Sequence, residues 1–102
     1  MRAIVFFDLP TDSAEDRRQY RQFRKLLIKE GFIMMQESVY YKLVLNEQSY
    51  RAEIERLRKK RPAKGLVQVL RITEKQFTDM IYLAGDAQVA EEVTSLDSLV
   101  II

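Results

Sequence analysis

The 102-residue chain contains no cysteine and no histidine. Without cysteine there are no disulfides, no thiolate catalysis and no sulfur-ligated metals, which suits a reducing cytoplasm, where we place the protein. Without histidine, imidazole acid–base catalysis and the common zinc sites are excluded. Any hydrolytic chemistry must then lean on carboxylates and a hard cation. No apolar run approaches the roughly 20 residues of a membrane span, and strand-type residues follow directly on Met1-Arg2, so neither a membrane nor a targeting segment is expected. A Gly-rich phosphate loop, a nucleophile–base pair, internal repeats and low-complexity tracts are missing as well.

Basic residues are absent from the last quarter. All 17 Lys and Arg lie at or before Lys75, against ten acids there, leaving the first 75 residues at +7. From Gln76 onward there are five acids and no base. The overall +2 thus conceals a basic body and an acidic tail, which suggests a polyanion on one surface and a protein partner on another. A solubilising tail is the plainer alternative.

The run Ile4-Val5-Phe6-Phe7 in Arg2 to Asp8 has no polar alternation, so it reads as an interior strand with both faces covered. Pro10 ends it and leaves Asp8 where the strand emerges from the core. Such an aspartate can serve chemistry or simply bond the amides of a loop. Thr11, Asp12 and Ser13 offer caps for a helix from about Ala14 to Glu30, stopped by Gly31. Tyr20, Phe23 and Leu27 form its apolar stripe, and Arg17, Arg18, Arg21, Arg24, Lys25 and Lys29 gather nearly opposite, with Ile28 a misfit among them.

Phe32 to Met35 and Val39 to Leu45 are strand candidates joined through Gln36-Glu37-Ser38 as a hairpin. Asn46 caps a helix from about Glu47 to Lys60 with Tyr50, Ile54 and Leu57 on its apolar side. The run Arg58-Lys59-Lys60-Arg61 complements the helix dipole or binds phosphate. Leu66 to Ile72 is the next strand, Thr73 to Gln76 a polar connector, and Met80 to Ala84 a fifth strand. The order is α+β, the βαββαβ of a ferredoxin-like fold with an extra C-terminal strand. That strand needs an edge, and the sheet of a homodimer partner supplies one. We therefore divide the chain into a ferredoxin-like domain, 1–85, and an acidic extension, 86–102, ending in the apolar Leu99-Val100-Ile101-Ile102.

One carboxylate is a meagre metal site. Magnesium commonly takes one or two carboxylates plus water and substrate oxygens. An Asp8 site would need Asp8 from a second subunit across a two-fold axis.

Phe6-Phe7-Asp8-Leu9-Pro10, Tyr20-Arg21-Gln22-Phe23-Arg24-Lys25, Gly31-Phe32 and especially Gln36-Glu37-Ser38-Val39-Tyr40-Tyr41 resemble the small CRISPR adaptation protein family, Cas-two. Ile72-Thr73-Glu74-Lys75-Gln76-Phe77 and Leu99-Val100-Ile101-Ile102 resemble its type II form, so the likeness spans nearly the whole chain. The resemblance implies a symmetric homodimer and a magnesium-dependent endonuclease acting on RNA or DNA, with Asp8 as catalytic metal ligand and Ser38 and Tyr40 close by. It equally implies a scaffold for spacer acquisition that holds double-stranded prespacer DNA for the Cas-one integrase. In that setting Arg17, Arg18, Arg21, Arg24 and Lys25 would meet nucleic acid, and Leu99, Val100, Ile101 and Ile102 would bind the integrase. With so small a catalytic inventory, binding has the stronger support from the residues.

Overall fold

The computed structural model describes residues 1–85. Its elements are β1 (Arg2–Asp8), α1 (Ala14–Lys29), β2 (Ile33–Gln36), β3 (Val39–Leu43), α2 (Glu47–Lys59), β4 (Leu66–Ile72) and a short α3 (Glu74–Thr78). One antiparallel sheet has the order β2-β3-β1-β4, as the ferredoxin-like arrangement requires. β1 is interior, with Val5 opposite Tyr40 on one side and Val69 on the other.

Alternation along β1 directs Ala3, Val5 and Phe7 to the side covered by the helices, where they pack with Leu9, Phe23, Leu27, Phe32, Tyr40, Val44 and Leu57. Phe7 is the hub of this core. Its ring centroid lies 5.2 Å from Phe23 in an edge-on arrangement, 5.6 Å from Tyr20 and 5.8 Å from Tyr40. α1 starts where expected: Ser13 Oγ accepts from Asp16 N–H, and Asp16 returns the bond to Ser13 N–H. The basic run spans the end of α2, where Arg61 donates to the Arg58 carbonyl at 3.0 Å. The β2–β3 connection is both a turn at Glu37-Ser38 and an irregular register between Met34 and Gln36.

Three expectations change. β1 is covered by the two long helices on one face only, because α1 and α2 return to the same side of the sheet. On the other face Phe6, Leu66 and Leu70 stay 37%, 56% and 52% exposed. The apolar run of β1 therefore marks a second face that the described residues leave partly open. The polar connector after β4 forms α3, fixed by a reciprocal capping pair between Thr73 and Gln76. Met80 to Ala84 is not a strand within the single chain, since a strand needs a neighbour to bond and no described strand pairs with it.

Phe77 of α3 covers the part of the open face nearest the start of β1. Its ring lies 5.0 Å from Tyr41, with the Arg2 guanidinium 3.9 Å above it and anchored to Glu74 at 3.1 Å. The part nearest Asp8 is left uncovered by α3.

Candidate functional site

Asp8 ends β1 opposite Leu66 of β4, and by alternation with Phe7 it lies on the open face of the sheet with Phe6. Its side chain is exposed and makes no hydrogen bond or ion pair with other described residues. The backbone behind it is tightly held. Gly65 adopts φ +89°, and a Cβ there would come within 2.7 Å of both the Asp8 carbonyl oxygen and Leu9 Cδ2. Only glycine meets both the conformation and the space.

Ser38 and Tyr40 do not gather around Asp8. Tyr40 pairs with Val5 and is buried on the helix side, the opposite face of the sheet from Asp8. Its hydroxyl accepts from Arg24 Nε at 2.9 Å. Ser38 Oγ lies 3.1 Å from the Tyr20 hydroxyl, and its carbonyl accepts from Phe7 N–H at 3.1 Å. These bonds tie α1 to the end of the hairpin beside Phe7, so both residues support the backbone leading into Asp8. Among the described residues, no group of three His, Cys, Asp or Glu is placed to hold a metal.

The five basic candidates of α1 divide by their contacts. Arg17 donates to the Thr11 and Asp12 carbonyls at 3.2 and 3.1 Å, latching the loop after β1. Arg18 forks onto Glu15 at 3.0 and 3.1 Å. That pairing lowers the Glu15 carboxyl, helped by Gln19, and raises the Arg18 guanidinium. Arg24 turns towards Tyr40, away from the face on which the helical wheel puts it. Arg21 and Lys25 are exposed and have no hydrogen-bond or ion-pair partner among the described residues. Lys25 also lines a groove of about 390 Å³ with Lys29, Gln22, Lys60 and Pro62. This meeting of α1 with the end of α2 brings Lys60 to Lys25, a proximity across 35 residues that no local pattern signals.

Sequence reasoning also missed a buried carboxylate. Glu53 of α2 is 1% exposed and accepts from Lys42 of β3 and from Arg56 at 2.9 Å. Arg56 reaches on to Glu30 at the end of α1, at 2.8 Å. A hydrogen bond with Glu53, followed by that of Arg56, lowers the Glu30 carboxyl below its ordinary value. This network joins β3 and both helices and lies apart from Asp8.

Leu99, Val100, Ile101 and Ile102 lie outside the described residues, as does the extension from 86. No helix among the described residues is long and apolar enough to cross a membrane.

Comparison with known proteins agrees with this architecture. A family profile described as "CRISPR associated protein Cas2" matches residues 1–80. A protein of Streptococcus mutans serotype c named CRISPR-associated endoribonuclease Cas2 is 56% identical over 86 residues, covering 84% of this chain and 79% of its own. One of the same name from Treponema denticola is 50% identical over 88 residues, covering 86% and 87%. The crystal structure of Streptococcus pyogenes Cas2 at pH 6.5 matches the fold with a TM-score of 0.62 at 16% identity, over 82% of this chain and all of that one.

Proposed function

The chain belongs to the CRISPR-associated Cas2 family, and from that premise we propose that it is a dimeric, duplex-holding subunit of CRISPR adaptation serving the Cas-one integrase. The observation that carries this reading is the segregation of the two sides of the sheet. Apolar side chains and Asp8 share the open face, while Arg21, Lys25, Lys29 and Lys60 lie in the helix layer. Two copies packed through the open face would bury Phe6, Leu66 and Leu70 and leave the cations outward, free for phosphates. Met80 to Ala84 would then find its ladder along an edge of the partner's sheet.

A metal-dependent endoribonuclease or deoxyribonuclease is the second reading, favoured by the exposed strand-end Asp8 and by the endoribonuclease name its relatives carry. A lone Asp8 is too little for magnesium, but Asp8 from each copy, facing across the dimer axis, fits the usual demand for one or two carboxylates. Magnesium held there would neutralise phosphate charge during phosphodiester hydrolysis. Asp8→Asn separates the readings. It should abolish metal-dependent cleavage, yet leave duplex affinity and spacer integration near wild type, because removing a carboxylate takes no cation from the DNA. Lost integration with dimer and affinity intact would sink the scaffold reading.

Leu99 to Ile102 would offer an apolar strand to the integrase. Deleting them should leave a folded dimer that no longer gives a heat of binding on titration with integrase; unchanged affinity would remove them from that interface.

A further inference from the structure

Short as it is, α3 is fastened to the sheet at several points. Its Phe77 ring lies 5.0 Å from Tyr41 of β3, and the Arg2 guanidinium of β1 sits over both rings, 3.9 Å from Phe77 and 5.1 Å from Tyr41. Arg2 Nε also donates to both carboxylate oxygens of Glu74, at 3.1 Å each. The far end of α3 is closed as well. Asp79 N–H donates to the Lys75 carbonyl at 2.8 Å, and Met80 N–H to the Phe77 carbonyl at 3.3 Å. The chain thus leaves β4, crosses the open face above β1, and is still held towards β3 where Met80 begins.

We propose that this clasp of Arg2, Glu74 and Phe77 keeps Met80 to Ala84 from pairing with its own β4 and so reserves that strand for a second copy, a role that rests on the dimeric reading above. Self-pairing would otherwise be open to it. β4 is an edge strand in unbroken register with β1, and Thr73 to Asp79 is long enough for the loop of a hairpin. Either copy's Met80 to Ala84 would form the same ladder on that edge, so the ladder does not choose between them. The connector does. Tyr41 stands on β3, and β1 and β4 lie between it and the vacant lane beyond β4, a distance of three strand spacings or about 14 Å. Covering it takes about four extended residues, and Met80 to Ala84 has five in all. A self-paired strand would be used up in reaching its lane unless Phe77 let go of Tyr41. The free edge of β2 is nearer, but that strand has only four residues and its register breaks between Met34 and Gln36, which leaves little ladder to offer. Ile81 and Leu83, 81% and 97% exposed, are the apolar side chains that the clasp holds out for another sheet.

The absence of cysteine makes the choice readable in the full chain. Val69→Cys and Tyr82→Cys place one thiol midway along β4 and one midway along Met80 to Ala84, so the two meet whichever way the added strand runs. A short bis-maleimide that reaches between neighbouring strands, but not across a sheet, joins two chains where the strand is exchanged and bridges one chain where it is self-paired. Denaturing gels and intact mass separate the products, and each single-thiol variant gives the background. With the clasp intact we expect joined dimers. Phe77→Ala with Glu74→Gln removes the ring contact and the ionic arm, and should raise the ratio of bridged single chains to joined dimers about tenfold. Arg2→Gln, which leaves Phe77 against Tyr41, should shift the ratio the same way and repeats the measurement should the double variant fold poorly. An unchanged ratio in both variants, in protein that still sediments as a dimer, would overturn the clasp alone, as would bridged single chains predominating in the parent dimer. A parent that sediments as a monomer would overturn the dimer on which the proposal rests.

Discussion

Glu30 shows how much a single side chain depends on contacts that sequence does not display. Its position after the last turn of α1 reads as surface, yet Glu53, Arg56 and Lys42 reach it from two other elements. Its depressed value means that folding favours the charged carboxylate. The stabilisation is therefore complete above the ordinary value of 4.5 and fades as pH falls through the lower, folded value. We expect thermal stability to decline below about pH 4.5, and Glu30→Gln to flatten that decline while lowering the neutral-pH midpoint by a few degrees. A wild-type acid limb in Glu30→Gln would show that other carboxylates set it. Asp8, by contrast, was legible, because a β-rich run closed by proline fixes both the strand and its exposed end. Tyr40 was not placed by its motif. Which face it occupies depends on the register opposite Val5 and on the Met34–Gln36 irregularity, and these put its hydroxyl on Arg24.

At the scale of elements, the apolar stripes of the two long helices and the apolar runs of the four strands, with their bounding breakers, located all six to within two residues. Pattern failed where an element is held by something other than its own stripe. Thr73 and Gln76 carry the spacing of a capping pair, a signal for α3 that was present in the polar connector and read as loop. The wheel of α1 collected six cations on one side but could not show that Arg17 and Arg24 are occupied within the fold. That division changes which substitutions report on binding. Arg21→Glu with Lys25→Glu should weaken duplex affinity and reduce the log–log salt slope by about 1.8, at about 0.9 per phosphate contact, without shifting the unfolding midpoint. Arg17→Glu should lower the midpoint as well, because it releases the Thr11 and Asp12 carbonyls. Filter or fluorescence titrations at several salt concentrations measure the slope. An unchanged slope in the double variant would move the phosphates to Lys29, Lys60 and the end of α2.

Among the described residues, the decisive feature is an interior strand covered by the two long helices on one side and only in part, by α3, on the other. A sheet with one apolar face towards solvent is an incomplete core, and burial against another chain is what would remove Phe6, Leu66 and Leu70 from water. Sequence showed this obliquely: β1 lacks polar alternation, and the described residues cover one of its faces fully and the other only near its start, through α3. Leu70 tests the argument best. It faces outward opposite Ile4, is half exposed, and lies apart from Asp8 and from the basic helix layer. Leu70→Asp should therefore cost the isolated fold little while placing one desolvated carboxylate per copy in the joint between two sheets. In that setting each unpaired buried charge costs several kcal/mol, enough to raise the dimer dissociation constant by about a thousandfold or more. Sedimentation at micromolar concentration should find wild type as dimer and Leu70→Asp as monomer, with a melting temperature that depends on protein concentration only in the former. A wild-type monomer would remove the shared Asp8 site together with the interface, since one aspartate on an open face cannot complete a magnesium shell alone. A dimeric Leu70→Asp variant would instead move the contact to another surface and leave the open face without its occupant.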